Sequence, residues 1–398
     1  MKKDLLKGIR VLDITQAYSG PFCTMHLADH GAEVIKVESL AGEQSRYWPP
    51  YKNDYSGYYA YLNRNKKGIA LDLKSPEGKE ALERLIKVSD VVVENFKVGT
   101  FARLGFSYEH LKELNPRIIY ASVSGYGLEG PLSTRPSYDL VAQAESGLMS
   151  LTGRPEDDPT KVGPAVGDSI SGTYLSLGIM MALFDRERTG EGARVDVAML
   201  DCLFSFLEEN VMHWTINHEV PKRTGNYALS GAPWDSFKAK DGQFVVACGT
   251  EALWQKFCDA VDRPEWKEDP NYLTIPDRFD HYLGDLRDKI EAYTLTKTLA
   301  ELEEAFVSHG VPFGVVRNVP EVAESEQIAR RNMLWKVFDP GFGEEIRMPG
   351  SPIKVQGESD DIRCAAPTVG QDNDTILTEL AGFSKEEVDA MREKGSIA

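Results

Sequence analysis

The regular alternation of short β-branched segments with helical segments is the feature that most constrains the fold of this chain. Strands are predicted at 9–15, 33–38, 69–73, 91–94, 118–124 and 194–198, and helices at 21–30 and 75–88. Such alternation is typical of βαβ units, whose strands run parallel and whose helices cover both faces of the sheet. We therefore expect an α/β fold.

The composition indicates a large globular protein. With 398 residues, 42% of them hydrophobic, the chain is long enough for two domains. The net charge of −17 argues against a nucleic-acid partner and against an anionic membrane surface. The N-terminus lacks the apolar core of a signal peptide, so we expect a cytoplasmic protein. Five widely spaced cysteines and seven scattered histidines predict neither a disulfide framework nor a metal site.

The composition shifts after Pro221, which indicates a domain boundary. A turn-rich linker follows at 222–231, strand segments flank a turn at 241–242, and helices fill 252–309. We interpret 1–221 as a large domain, 222–318 as a smaller α+β domain, and 319–398 as a C-terminal segment that returns to the large domain. Further helices are predicted at 138–149, 199–217, 322–335 and 374–381.

A G-x-G-x-x-G spacing begins at Gly125, directly after a predicted strand, and Glu145 lies twenty residues further on. These are elements of a dinucleotide-binding fingerprint. In that fingerprint the last glycine enters a helix, whereas here Pro131 and Pro136 favour an extended loop. We therefore reject nicotinamide binding.

The stretch 163–181 places one carboxylate, Asp168, at the start of a strongly apolar segment. Its apolar residues crowd every face of a 3.6-residue helix, which predicts a helix buried all round. Asp168 is expected to cap this helix and to stay ionised there, as a desolvated nucleophile. Gly167 and Gly172 leave room for a ligand or another backbone. The alternative is an aspartate that only caps a helix.

Six motifs in order resemble the class III CoA-transferases. They are GAEVIKVE at 31–38, NRNKK at 63–67, ENF at 94–96, GYG at 125–127, GD at 167–168 and RVDVAM at 194–199. The resemblance runs from about Leu6 to the C-terminus. It implies a Rossmann-like large domain with a parallel sheet built from both chain ends, a smaller domain near the middle, and an interlocked homodimer.

The same resemblance implies the chemistry. Asp168 would attack an acyl-CoA thioester, pass through an aspartyl anhydride and an aspartyl-CoA thioester, and deliver CoA to a small carboxylic acid. Coenzyme A thioester is then a substrate, and no permanently bound cofactor is expected. The positions that match CoA-contacting segments are Lys97 and Arg103 for the phosphates, with Asn95, Phe96, Leu71, Lys74, Tyr18 and Tyr138 around the rest of the molecule. Without the resemblance, these residues would be interpreted as an ordinary charged loop and core.

Two alternatives stay open. The α-methylacyl-CoA racemases share this fold and aspartate, but they carry a histidine where this chain has Tyr138. A tyrosine of pKa ~10 is a poor proton carrier at neutral pH. A CoA-binding homologue without activity is the second alternative, because fold alone does not establish catalysis. The formyl-CoA:oxalate branch has a glutamine at the position of Tyr18 and a glycine-rich lid that 232–250 lacks, which argues against oxalate as the acceptor.

Overall fold

A computed structural model of the chain describes residues 4–228 and 230–398. Positions 1–3, in the N-terminal stretch predicted to lack a leader, and 229, in the predicted linker, lie outside the described residues. The strands are β1 (Arg10–Asp13), β2 (Glu33–Glu38), β3 (Tyr51–Lys52), β4 (Tyr55–Ser56), β5 (Lys66–Ala70), β6 (Val91–Glu94), β7 (Ile119–Ser124), β8 (Arg194–Ala198), β9 (Trp234–Lys238), β10 (Gln243–Ala247), β11 (Phe313–Val315), β12 (Leu334–Asp339) and β13 (Glu344–Pro349).

The α-helices vary from one turn to more than six. They are α1 (Ser19–Asp29), α2 (Gly57–Asn63), α3 (Pro76–Lys87), α4 (Thr100–Arg103), α5 (Tyr108–Leu114), α6 (Asp139–Glu145), α7 (Leu148–Leu151), α8 (Val166–Thr189), α9 (Met199–Ser205), α10 (Glu209–Asn217), α11 (Glu251–Ala260), α12 (Ile275–Asp280), α13 (Arg287–Thr294), α14 (Leu299–Ser308), α15 (Val319–Ala323), α16 (Glu326–Arg330), α17 (Asn373–Glu379) and α18 (Lys385–Glu393). Every helix in the described ranges is too short or too polar to span a lipid bilayer.

The largest sheet has the strand order β5-β2-β1-β6-β7-β8, and every pairing in it is parallel. This confirms the predicted α/β fold with a parallel sheet. Successive side chains of β1 lie on opposite faces of the sheet. Val11 packs with α1 and α8 on one face, and Leu12 packs with α3 on the other. Strands covered on both faces favour apolar residues on both faces, as in Val91, Val92 and Val93 of β6.

The chain divides into two compact units. The first comprises residues 1–148, 161–216 and 326–398, and the second comprises 149–160 and 217–325. In the first unit, Ile376 and Met391 from the last helices lie in the same core as Leu12, and Leu71 forms an isolated bridge with Ile397. Both ends of the chain therefore build one hydrophobic core.

The second unit contains the antiparallel sheet β11-β10-β9. Its strands β9 and β10 flank the 241–242 turn, as the sequence predicts, and pair Phe237 with Phe244. Aromatic side chains dominate its core, where Trp254 stacks on Phe257 with ring centroids 5.6 Å apart. This unit buries its apolar surface independently of the large parallel sheet.

Three helix predictions are wrong in extent. The predicted helix 138–149 is broken at Gly147, whose φ is +93°, and 199–217 is broken where Glu208 has φ +51°. A left-handed residue cannot continue a right-handed helix. The predicted helix 322–335 forms two short helices and then strand β12, because Asn332 turns at φ +47° and Trp335 pairs with Met348 in a β-hairpin.

Helix α8 is not buried all round, contrary to the prediction from its composition. Leu175 and Ile179 pack against the large sheet. Met181 and Phe184 on other faces are 61% and 70% exposed in the single chain. The apolar residues of α8 therefore form two faces, one packed in the core and one exposed in the single chain.

Candidate active site

Asp168 is the third residue of α8 and not its cap. The N-cap position is Ala165, so the predicted capping role is wrong. The helix begins earlier because Gly167 fits tightly against its neighbours: a Cβ there would lie 3.0 Å from Asp139 Oδ1 and 3.2 Å from Leu203. Asp168 nevertheless lies in the first turn, where the helix dipole favours a negative charge.

The carboxylate of Asp168 also meets the start of a second helix. Ser19, the first residue of α1, lies beside it in the same cleft, and its backbone N–H and hydroxyl lower the pKa of Asp168. The two helices approach this closely because of Gly172, where a Cβ would lie 2.5 Å from the Ser19 carbonyl oxygen. Two helix N-termini therefore converge on one carboxylate.

Burial, together with the nearby charge of Asp139, raises the pKa of Asp168 to about 7, although the bonds from Ser19 act in the opposite direction. The expectation of a carboxylate ionised throughout the neutral range is therefore wrong, because donors at two helix ends do not offset the lost hydration. Asp139 is held firmly beside it: its oxygens accept from the Gly167 N–H and from Gln143 Nε2, both at 2.7 Å.

Asp168 lines a cleft of about 270 Å³ at the carboxyl edge of the large sheet. The walls come from loops that follow β1, β6 and β7, and include Gln16, Ala17, Ser19, 95–98, 123–125 and 135–138. Loop 125–138 separates β7 from α6 and contains no helix, which agrees with rejecting the dinucleotide fingerprint. Of the predicted site residues, Asn95, Phe96, Lys97 and Tyr138 line this cleft with Asp168. Ligands in open α/β sheets bind at this edge.

A second cleft of about 380 Å³ adjoins the first, since Gln16 and Phe96 line both. The predicted residues Leu71 and Lys74 lie here, on the loop after β5. Leu71 is also a buried member of the sheet core, whereas Lys74 is exposed. The two clefts together give an elongated site with the carboxylate at one end.

Two predicted residues lie outside the lining of both clefts. Arg103 is exposed on α4 and donates to Thr100 Oγ1 at 2.8 Å. Tyr18 packs behind Asp168, where its ring stacks on Phe22 and its hydroxyl accepts from Ser169 Oγ at 3.2 Å. Burial raises the pKa of Tyr18 above its usual value, and the charge of Asp168 adds to that effect. Neither side chain is placed as a cleft wall.

Sequence reasoning assigned no role in the site to Ser19, Arg135 or Asp139. A signal for Ser19 was present: Gly20 and Pro21 directly after strand β1 mark a helix start at the sheet edge. Arg135 carries no such signal, because its place in the cleft follows from the path of a loop. The described ranges 4–228 and 230–398 contain no group of three or more His, Cys, Asp and Glu arranged to hold a metal ion.

The fold and the cleft define an α/β protein with one buried carboxylate, Asp168, at the end of an elongated cleft at the sheet edge. Comparison with known proteins identifies the family: the CoA-transferase family III profile matches residues 6–373. The chain is 38% identical to the acetyl-CoA:oxalate CoA-transferase of Acetobacter aceti over 377 residues, which are 94% of this chain and 95% of that protein. It is 39% identical to the succinyl-CoA:mesaconate CoA-transferase of Haloarcula hispanica over 388 residues, which are 94% and 96%.

A solved structure gives the same result. The CAIB/BAIF family protein from Brucella suis superposes with a TM-score of 0.83 at 32% identity, covering 94% of this chain and 99% of that chain. The chain therefore belongs to CoA-transferase family III. This confirms the resemblance drawn from the six motifs.

Proposed function

We propose that this protein transfers CoA from an acyl-CoA to a small carboxylic acid, with Asp168 as the covalent nucleophile. The observation that supports this best is a buried carboxylate in a cleft at the sheet edge, where Ser19 favours its ionised form and the charged neighbour that acts on it is another carboxylate, Asp139. An ion-paired carboxylate is a weak nucleophile, because the cation stabilises the charge that must attack.

The reaction proceeds by exchange at two carbonyl groups. One oxygen of ionised Asp168 attacks the thioester carbonyl, the C–S bond breaks, and CoA thiolate leaves a mixed anhydride behind. The thiolate then attacks the aspartyl carbonyl, the donor acid leaves as its carboxylate, and Asp168 carries CoA as a thioester. An acceptor carboxylate repeats the steps in reverse, so no net proton is consumed.

Ser19 supplies the donors for this exchange. Its N–H and hydroxyl, which bond the free carboxylate of Asp168, remain aimed at the aspartyl oxygen when thiolate or carboxylate attacks the aspartyl carbonyl. Donors placed in advance at a developing oxyanion lower the barrier by about 3 kcal/mol each. The same helix ends that hold the resting carboxylate thus stabilise the tetrahedral intermediate.

We place the acyl end of the substrate in the cleft with Asp168 and the nucleotide toward the second cleft. Lys97 lines the first cleft and Lys74 the second, so each offers a cation to an anionic group of CoA. Phe96 separates the two and packs partly against the core. Arg103 is too exposed to define the site and would contact only the outer phosphate.

The acceptor is expected to be a small dicarboxylic acid. Oxalate and mesaconate, the acids in the names of the two relatives, each carry a second carboxylate. Arg135 lines the cleft with its side chain half exposed, 3.4 Å from Glu145 and 5.7 Å from the centre of the Tyr126 ring, so its guanidinium can also bind such a group. The tyrosine at position 18 and the lack of a glycine-rich lid in 232–250 argue against oxalate itself.

Trapping of the intermediate tests the mechanism. Acyl-CoA is added without acceptor, the mixture is quenched with hydroxylamine, and the peptide containing Asp168 is examined by mass spectrometry for a hydroxamate. We expect the adduct in the wild type and in Asp185→Ala, an exposed carboxylate lost from the same helix, but not in Asp168→Ala. Transfer that persists in Asp168→Ala would refute the proposal.

The same samples separate transferase from racemase. A racemase would exchange the α-hydrogen of a branched acyl-CoA with solvent deuterium without any acceptor and without an adduct. Tyr138, 61% exposed at the cleft, and Asp139, whose oxygens are both occupied, offer no ready proton carrier. Adducts cleared only by a carboxylic acid would identify the transferase, and the acid that clears them fastest identifies the acceptor. A protein that binds acyl-CoA but forms neither adduct nor exchange would be the non-catalytic homologue.

We also propose that the protein is a homodimer, interlocked as the family resemblance implies. The uncovered apolar side chains of the first unit support this, and they are Leu177, Met180, Met181 and Phe184 on α8, Phe204 on α9, and Trp214 and Ile216 on α10. Apolar surface of this extent on one region indicates an interaction site. Sedimentation at decreasing concentration should show a dimer that does not dissociate; a dilutable monomer would contradict interlocking.

A further inference from the structure

The chain segment that carries the donors to Asp168 is residues 15–19, here called the strap. It follows β1, leads into α1, and forms part of the cleft wall through Gln16, Ala17 and Ser19. Ala17 has φ +66°, a left-handed conformation that a residue with a Cβ adopts only when its surroundings enforce it. The strap therefore needs an external restraint.

Side chains from three other strands or loops hold the backbone of the strap. Lys36 donates to the Thr15 carbonyl, and Asp13 accepts from the Thr15 N–H at 3.0 Å. Glu43 accepts from the Ala17 N–H at 3.1 Å. Asn95 bonds both backbone groups of Gln16, accepting from its N–H at 2.8 Å and donating to its carbonyl at 2.7 Å. Each residue from 15 to 17 is thus held by a fixed side chain.

The charged members form one buried cluster, defined here as Asp13, Lys36, Glu43 and Lys66. Lys36 lies between the two carboxylates, 3.9 Å from Asp13 Oδ1 and 4.0 Å from Glu43 Oε1. Lys66 Nζ lies 2.8 Å from Asp13 Oδ2. Two cations balance two anions, so the cluster is neutral. Its burial is costly unless the geometry of these bonds is close to ideal.

Lys66 extends the same network to α1. Its ammonium donates to the Pro21 carbonyl at 3.1 Å, in the first turn of that helix, and to Asn63 Oδ1 at 2.9 Å. Asp13 Oδ2 also accepts from Thr24 Oγ1 of α1 at 2.7 Å. The cluster therefore fixes both the strap and the helix on whose first residue the donors to Asp168 are located.

We propose that the buried cluster of Asp13, Lys36, Glu43 and Lys66 positions the strap so that the N–H and hydroxyl of Ser19 face Asp168, with Lys36 as its central positioning residue. None of the four side chains contacts the reacting atoms, so they act through the backbone of the strap. This inference rests on the proposed function of Asp168. It gives a role to Lys66, which is part of the NRNKK motif and lines neither cleft.

The test measures the pH midpoint of aspartyl adduct formation in a single turnover. The ionised carboxylate of Asp168 is the nucleophile, and Ser19 stabilises that ionised form. Displacement of Ser19 therefore moves the midpoint to higher pH. The other groups that face Asp168 are Asp139, Tyr18 and Tyr58, and they are unchanged in the variants.

Two variants separate geometry from charge. Thr15→Val removes the hydroxyl that donates to Asp13 at 2.5 Å without changing any charge, and we expect an upward shift of about half a pH unit. Lys36→Met removes the central cation, and we expect a shift of about 1 pH unit with a roughly tenfold lower rate at neutral pH. Thr15→Val keeps every charge, so a shift of the midpoint in that variant cannot come from the loss of the Lys36 charge.

Arg186→Met is the matched control. Arg186 is a buried cation paired with Asp90 at 2.9 Å, and it lies on the same helix as Asp168 but about 27 Å along the axis at 1.5 Å per residue. This variant should unfold at lower temperature and keep the wild-type midpoint. The contradicting result is a Thr15→Val variant that is folded, forms the Asp168 adduct and still keeps the wild-type midpoint. That result would show that the positioning role is wrong, and it would leave the proposed function unaffected. If the wild type itself forms no adduct, the proposed function fails first.

Discussion

Asp13 and Asp168 are two carboxylates of the same unit in dry surroundings, yet their acidities shift in opposite directions. Burial alone would raise the pKa of Asp13, but Lys36 and Lys66 hold it well below its usual range. Burial raises the pKa of Asp168 to about 7, and its nearest charge is another carboxylate, Asp139. The difference is therefore the sign of the neighbouring charge and not the degree of burial.

The comparison separates a structural carboxylate from a reactive one. Asp13 is satisfied by two cations and two hydroxyls, so its charge is fixed and unavailable for reaction. Asp168 has Ser19 and another carboxylate as neighbours, so its ionised form is poorly stabilised, which is what the proposed nucleophilic role requires. Substitutions at Asp168, Asp13 and Asp139 test this distinction, and substitutions at Lys97 and Arg103 test the proposed CoA site.

The largest effect is expected for Asp168→Ala. We expect transferase activity to fall by roughly 10³-fold or more, because the covalent route is lost while substrate binding remains. Steady-state transfer between an acyl-CoA and a dicarboxylate measures it. The contrast between Asp13 and Asp168 would be wrong if Asp13→Asn lost as much transferase activity as Asp168→Ala and remained as stable as the wild type.

Asp13→Asn is expected to cost about 3–5 kcal/mol in the free energy of unfolding at pH 7, because it leaves Lys36 and Lys66 without their anion. The lowered pKa of Asp13 means that its stabilisation is present above the unfolded value near 4 and is lost as the pH falls below it. Asp168→Ala has the opposite sign: its raised pKa makes the wild-type carboxylate destabilising as the pH rises toward 7 and above. Urea unfolding at pH 5 and pH 8 measures both, and equal losses at pH 8 would contradict the comparison.

Asp139→Asn should lower the pH midpoint of activity below 7 by about 1 unit, since it removes the negative charge that helps to raise the pKa of Asp168. A pH profile of kcat/KM for acyl-CoA measures it. Gln143→Met is the control, because it removes the same 2.7 Å hydrogen bond and keeps the charge of Asp139. An unchanged midpoint in Asp139→Asn would mean that burial alone sets the acidity.

The smallest effect is expected for the cations of the proposed CoA site. Lys97→Ala should raise the KM for acyl-CoA about fivefold with little change in kcat, which corresponds to ~1 kcal/mol of uniform binding. Arg103→Ala should change KM by less than about twofold, because that side chain is exposed and lines neither cleft. The reverse order would mean that Arg103 on α4 contributes more to CoA binding than Lys97 in the cleft.

Local sequence patterns predicted much of the fold. The strands 33–38 and 91–94 were predicted with the bounds of β2 and β6, because both are rich in β-branched residues. The cap of α3 was visible in Ser75, which accepts from Gly78 N–H, and in Pro76 directly after it. Breaks at left-handed residues such as Glu208 and Asn332 were missed, because neither residue is a glycine and the conformation comes from tertiary packing.

The sequence by itself determined the parallel α/β fold and the family, and it predicted Asp168 as the nucleophile, because periodicity and ordered motifs are properties of neighbouring residues. Only the tertiary structure decided that Asp168 lies inside the first turn of α8, that Ser19 meets it from a helix almost 150 residues earlier, and that its pKa is raised to about 7. Acidity depends on which charges and donors the fold brings within a few ångströms of a group from distant parts of the chain. No local sequence pattern shows which distant residues will lie that close to the group.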